Sequence, residues 1–287
     1  MSTHTEKIEH QYRWLSISMA VSLILGVCLF VVNLYGLSQP IRKPGLGVTD
    51  LEQLRFVPKE VWSYSESMHA IDALAKIDSK KELAESATQV INRSLVHIDW
   101  ERVNASDYRQ LVPFWENYFL WAVGQFSGLS QFQRYHFADY RRSIRRGVGI
   151  CGDASIALSS VMDRYNVPNR IVSFDGHVIV EYERDNGARF LVDPDFGVSL
   201  GTSLQNLKAN TGQVKARYLA SGYTEREVDY LFEAYNSSFT LFEDTYHFMT
   251  LRYLFEYVSY VMKWLLPLVL VLVPVIWALR SGRRKNF

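Results

Sequence analysis

The sequence predicts an α+β domain carried between two membrane-crossing helices, and three observations predict it. Residues 15–37 contain no charged side chain, and residues 257–279 contain only Lys263. Each run is long enough for a bilayer, which a helix of about 20 apolar residues crosses. Between them, a helix-period run that starts at Cys151 is followed by three β-rich runs at 170–174, 178–183 and 189–192. A helical stretch followed by consecutive strands, the last two joined by Asp185-Asn186-Gly187, reads as helices packed on an antiparallel sheet.

The elements follow in order. Residues 1–13 form a polar lead of mixed charge, taken as a cytoplasmic N-terminus, and the first transmembrane helix is expected over 14–37 between Trp14 and Tyr35. The apolar run exceeds the 7–15 residues usual for a signal peptide, so it reads as an anchor. A turn-rich linker spans 38–47, and the extracytoplasmic domain is expected over 48–256. Residues 81–96 place Leu83, Ala87, Val90, Ile91 and Leu95 on one helical face. Residues 108–126 read as a buried aromatic helix, and 199–220 as loop and mixed structure. Thr224 with Glu227 three residues later reads as a capping box, and 237–257 shows no clear pattern.

The second transmembrane helix is expected over 257–279, with Pro267 and Pro274 inside it. Such prolines are tolerated in membrane helices, and Lys263 can snorkel to the interface. The tail, 280–287, carries four positive and no negative charges. The positive-inside rule makes it cytoplasmic, so the two spans leave the middle domain outside.

Composition narrows the chemistry. A net charge of +1 in 287 residues gives no field for nucleic acid. With only Cys28 and Cys151, and neither a CxxC nor a Cys/His cluster, no metal site is expected. No phosphate-cradling glycine loop occurs, and no cofactor is expected. The basic stretch 131–146, with five arginines, reads as a solvated face, with an anion-attracting surface as the competing reading.

One stretch carries the candidate chemistry. In Gly147-Val148-Gly149-Ile150-Cys151-Gly152-Asp153 a cysteine lies behind glycines and starts the run Leu158, Val161, Met162, Tyr165. A thiol at a helix N-terminus meets unpaired amides and the positive end of the dipole, which favour a thiolate. Gly176-His177 follows, then Asp193-Pro194. Folding at the 185–187 hairpin brings Asp193 within a residue or two of the position opposite His177, on one face. Cys151, His177 and Asp193 are therefore candidates for nucleophile, base and orienting carboxylate. The competing reading is structural: a buried small hydrophobe and a satisfied polar histidine. The domain's lone cysteine in an oxidising compartment weighs towards use.

At these residues the sequence resembles the transglutaminase-like superfamily, whose core has a papain-like fold. The resemblance covers about residues 80–200. It rests on the glycine-rich turn before Cys151, on Gly176-His177, on Asp193-Pro194, and on the helix-to-strand crossing at 165–172. It implies Cys151 as nucleophile, His177 as general base and acid, and Asp193 as orienter of the imidazole. The implied chemistry is attack on an amide through an acyl-thioester, ending in hydrolysis or acyl transfer. The Cys151 amide is one oxyanion donor, and Trp115, Asn117, Tyr118 and Gln125 are open choices for a second. Asp153 and Asp195 are expected to cap and turn the chain, with calcium binding as the competing role.

The expected protein is thus a cysteine enzyme of a bacterial inner membrane with its domain facing the periplasm or exterior. Its expected partners are the bilayer, a peptide, protein or cell-envelope polymer as substrate, and a possible membrane protein. The alternative is a non-catalytic transglutaminase-like module in a membrane polysaccharide or secretion assembly.

Overall fold

A computed structural model of the chain describes residues 4–47 and 60–284. The expected domain onset at Val48, the first three residues of the polar lead and Lys285 of the tail lie outside the described residues. The protein is α+β and divides into two units. The first comprises the described parts of Met1–Pro40, Val112–Phe132 and Tyr257–Phe287, and the second Ile41–Leu111 and Gln133–Glu256.

The first unit is built on two helices long and apolar enough to cross a membrane, within α1 (His4–Ser38) and α10 (Thr245–Arg284). They pack antiparallel. Ser22 Oγ donates to the Leu270 carbonyl at 3.0 Å and Asn33 Nδ2 to the Lys263 carbonyl at 2.5 Å. Gly26 lets the helices close, since a Cβ there would lie 2.9 Å from Leu270 Cβ. Small residues and side-chain hydrogen bonds hold such pairs where no hydrophobic difference separates lipid from protein. Residues 112–132, inside the expected 48–256 block, belong to this unit and contain α4 (Tyr118–Phe126).

The second unit has a five-stranded sheet in the order β6-β5-β4-β3-β7, all antiparallel: β3 (Asn169–Phe174), β4 (His177–Glu183), β5 (Arg189–Asp193), β6 (Val198–Ser199) and β7 (Phe239–Phe242). Alternation along the strands gives it two apolar faces. Val180, Tyr182 and Val192 pack with α2 (Tyr64–Ala73), α3 (Lys80–Ser94), α6 (Tyr140–Arg146) and α7 (Cys151–Arg164). Val172, Ile179 and Leu191 pack with α8 (Thr211–Ala220) and α9 (Glu225–Tyr235). A parallel bridge of β1 (Val96–His97) with β2 (Val148–Gly149) fixes the entry to α7.

Helix α3, the capping box at Thr224 and the three central strands stand where the sequence puts them. Other stretches differ. Helix is confined to Tyr118–Phe126 within 108–126, because Asn117 caps there, accepting from the Phe119 and Leu120 amides at 3.1 and 3.2 Å, after Pro113 and the left-handed Arg109. Within 199–220 lies α8, which lacks a side-chain cap and is held by burial of Val214 and Tyr218. Within 237–257 lie β7 and the start of α10, a helix interrupted by non-helical Met249.

Candidate active site

The cysteine turn is shaped by its glycines. Gly147, at φ +80°, ends α6 in the left-handed conformation that favours glycine, and a Cβ there would lie 2.7 Å from Arg42. A Cβ on Gly149 would lie 2.7 Å from Asp153 Cβ, so a methyl group would push on the first turn of α7. Asp153 matters there because its Oδ2 accepts the Ile150 amide at 2.9 Å, setting the angle at which Cys151 enters the helix. Gly149→Ala is expected to destabilise the domain by about 1–3 kcal/mol, the usual range for overpacking. It is also expected to slow Cys151 alkylation, whereas Gly152→Ala, whose Cβ would meet open space, leaves both unchanged. Thermal unfolding and alkylation of the two variants provide the check.

Helix α7 begins beside the start of β4, where Ser155 Oγ donates to the Val178 carbonyl at 2.9 Å. The β4–β5 pairing runs through Val180↔Val192 and, continued one step, sets Asp193 opposite Ile179, two residues from His177 and on its face. His177 Nε2 meets Asp193 Oδ2 at 2.8 Å, with the residues 3% and 0% exposed. The half-buried Cys151 sulfur is the other group that acts on the imidazole, favouring its protonated form. With Nε2 engaged by the carboxylate, Nδ1 is the ring nitrogen left to exchange a proton with sulfur. The structure thus brings the three sequence-picked residues together.

Burial by itself would lower the His177 pKa, but the Asp193 carboxylate and the Cys151 sulfur outweigh it and hold it well above 6.5. The carboxylate is saturated with donors. Tyr218 Oη donates to Asp193 Oδ2 at 2.7 Å, and Tyr235 Oη lies 3.3 Å from the same oxygen. The Asp195 and Phe196 amides reach Oδ1 at 3.1 and 3.3 Å. The two phenols lie 2.6 Å apart, and burial with the Asp193 charge pushes both well above 10, so they stay donors. Phe196 and Tyr235 stand edge-on to His177, with ring centroids 5.7 and 5.9 Å away.

Two further His–Asp pairs flank the triad. His97 Nδ1 contacts both Asp195 carboxylate oxygens at 2.8 Å, and Asn92 Nδ2 donates to the Asp195 carbonyl at 2.6 Å. His136 Nδ1 meets Asp153 Oδ2 at 2.8 Å while its ring stacks on Trp100 at 4.2 Å. Burial would raise the Asp153 pKa, but His136, Arg146 and the Ile150 amide together lower it. Asp153 thus caps the start of α7 as expected, whereas the Asp195 carboxylate pairs with the distant His97 and the turn amides are taken by Asp193. His97, His136, Tyr218 and Tyr235 carried no signal in the sequence, since each partner is brought near only by the fold.

Of the five arginines before the cysteine, Arg141 is exposed as a solvated face requires, but three others are tied into the fold. Arg146 is fully buried, with Nη1 donating to the Tyr135 carbonyl at 2.6 Å and its guanidinium between the Trp100 and Phe137 rings. Arg134 donates to the Trp100 and Val103 carbonyls at 2.6 and 2.9 Å, and Arg142 pairs with Glu256 at 2.7 Å. Planar guanidinium groups bridge carbonyls and stack on rings, which suits arginine to tying loops together. Of the open choices for a second oxyanion donor, Asn117 donates to Ser259 Oγ at 3.0 Å and Tyr118 to the Lys263 carbonyl at 2.8 Å, both within the first unit.

Comparison of the chain with protein-family models, with curated proteins and with solved structures returned no match. The functional reading therefore rests on the site.

Proposed function

We propose that the protein is a membrane-anchored cysteine enzyme of the transglutaminase-like, papain-fold kind, working outside the cytoplasm on amide bonds of a peptide, protein or cell-envelope polymer. The single observation that carries this is a buried His177–Asp193 pair, 2.8 Å apart, whose imidazole is held protonated in part by the thiol that opens α7. A purely structural histidine needs one polar partner. This one sits between an acid and a nucleophile, at the start of a helix.

The chemistry follows from the order of the groups. Nδ1 of His177 takes the Cys151 proton, and the sulfur attacks the amide carbon. The Cys151 and Gly152 amides precede the first intrahelical bond of α7, from the Ala154 amide to the Ile150 carbonyl at 3.0 Å. Such leading amides have no partner within the helix and suit a developing oxyanion. The tetrahedral adduct collapses as His177 protonates the departing amine, leaving an acyl-thioester on Cys151. Water, an amine or a hydroxyl, deprotonated by His177, then attacks the thioester and returns the proton to sulfur. Asp193 holds the ring orientation and the positive charge throughout.

The setting outside the cytoplasm is supported by the two candidate spans and by Arg280, Arg283, Arg284 and Lys285 after the second. A bacterial inner membrane with the domain facing the periplasm or exterior fits this arrangement.

The test is the pH dependence of iodoacetamide alkylation of Cys151 in the full chain carrying Cys28→Ser. Alkylation is expected to persist at pH 6, far below the ordinary thiol pKa of about 8.5. In His177→Ala it is expected to fall there by roughly 100-fold, the lower end of what a positioned acid–base group contributes. A profile of ordinary thiol shape, indifferent to His177, would overturn the proposal and favour the non-catalytic module.

A further inference from the structure

The stretch 112–132 is the least expected part of the first unit. It holds seven aromatic residues in 21, against 14% aromatic in the whole chain, and no charge from 117 to 133. Its one charged residue, Glu116, is buried, and its Oε1 accepts from Tyr260 Oη at 2.8 Å. A stretch of that composition in a water-soluble domain belongs in the core. Here Phe114 is 39%, Phe126 78% and Leu129 49% exposed, and Phe114, Trp121 and Phe126 form an edge-on ladder with centroids 5.1 and 5.7 Å apart.

The ties of this stretch to the two long helices fall at one level. Asn117 bonds Ser259, Tyr118 bonds the Lys263 carbonyl, and Lys263 Nζ donates to the Glu116 carbonyl at 2.5 Å. Gly36 of α1 closes against the Trp115 carbonyl, which a Cβ there would strike. Asn33, three residues earlier, bonds the same Lys263 carbonyl. From that level, α10 continues to Leu279 and α1 runs back to Leu15. At a rise of 1.5 Å per residue these lengths are about 24 and 27 Å. They approach the roughly 30 Å of a hydrocarbon core, so the ties mark one edge of it.

We infer that residues 112–132 are a third membrane contact, an aromatic interfacial segment that lies in the headgroup boundary with Phe126 and Leu129 turned into lipid. Its occupant is the bilayer because the segment is bonded to α1 and α10, whose own exposed side chains are largely apolar. Aromatic side chains favour this boundary, where the ring is apolar and the edge meets water. The exposed neutral side chains Gln125, Ser127, Ser130 and Gln131 suit headgroup contact. Such a segment lies in the plane of the membrane and does not cross it.

The inference rests on the reading of α1 and α10 as membrane spans, and the test separates the two. Nitroxide labels are placed at Phe126→Cys, Leu129→Cys, Ile24→Cys within α1, and Ala209→Cys on the second unit, in the full chain carrying Cys28→Ser and Cys151→Ser. The protein is reconstituted into nanodiscs of phosphatidylcholine and phosphatidylglycerol. Collision with oxygen, which enters lipid, is compared with collision with a nickel chelate, which stays in water. The oxygen-to-nickel ratio at 126 and 129 is expected several-fold above that at 209 and below that at 24. Ratios at 126 and 129 equal to that at 209 overturn the inference, as do ratios as high as at 24. Low collision with both agents would mean a protein partner covers the surface, which also overturns it. A ratio at 24 matching that at 209 overturns the membrane reading itself.

Discussion

Asp193→Ala is expected to cost the domain about 3–5 kcal/mol of stability, the usual effect of removing one partner from a buried ion pair. The carboxylate is fully buried and accepts from His177, from Tyr218 and from the Asp195 and Phe196 amides, so its loss strands donors that water does not reach. The effect has a pH signature. His177 has a folded-state pKa well above its unfolded value of 6.5, so its stabilising contribution is fully present below pH 6.5. It is lost as pH rises through the folded value. The stability gap between wild type and Asp193→Ala is therefore expected to be widest below pH 6.5 and to narrow as pH rises beyond it. Denaturant unfolding of both proteins in detergent, repeated across pH 5–9, measures this gap. A gap of constant width would show that Asp193 does not govern the His177 charge. Asp193→Asn keeps an acceptor for Tyr218 without the charge, and should recover part of the stability but none of the pH dependence.

Tyr218→Phe is expected to cost about 1.5–3 kcal/mol, the range for a hydrogen bond to a charged group. Tyr235→Phe should cost less, because its hydroxyl is 3.3 Å from the carboxylate against 2.7 Å for Tyr218. The two effects should not add, since the phenols also bond each other at 2.6 Å. The two phenols bond Asp193 and each other, so their influence on the chemistry runs through Asp193. With a donor removed, the carboxylate charge is less satisfied and attracts the imidazolium more strongly. The pH at which His177 loses its proton should move upward in Tyr218→Phe, carrying the alkaline edge of the His177-dependent alkylation with it. Alkylation rates of wild type, both single variants and the double variant across pH 5–10 would read it. A loss of stability with an unmoved pH edge would leave the phenols as packing groups only.

The candidate triad was legible because it is local in pattern. Cys151 announces itself by the glycines before it and the helical period after it, and a two-residue side-chain period with a tight Asp-Asn-Gly turn determines which β4 and β5 residues share a face. The hairpin arithmetic therefore reached Asp193 from His177 without a structure. The two long apolar helices were legible for the same reason, since uninterrupted apolar length is a property of sequence alone. Helix α3 and the capping box at Thr224 likewise follow from short-range spacing.

What the sequence concealed is long-range. Tyr218 and Tyr235 stand 25 and 42 residues beyond Asp193 and meet it only because α8 and α9 cover the second face of the sheet. His97 and Asp195 lie 98 positions apart, and the parallel bridge of β1 with β2 sets His97 beside Gly149. The arginines before the cysteine looked like a charged surface because charge usually stays in water. Arg146 is instead buried, its cost offset by the Tyr135 carbonyl and by two ring faces supplied from elsewhere in the chain. Residues 108–126 looked like one buried helix because aromatic content does not reveal that Asn117 caps the helix only at Tyr118.

By itself, the sequence determined the two apolar helices, the α+β order of the elements and the three residues of the candidate triad, all of which depend on spacing within a few dozen residues. Only the tertiary structure decided how the Asp193 carboxylate is held, which histidines pair with which acids, and that residues 112–132 join the long helices. Those outcomes depend on desolvation and hydrogen bonding between distant segments, and such energies exist only once folding has brought the partners within bonding distance.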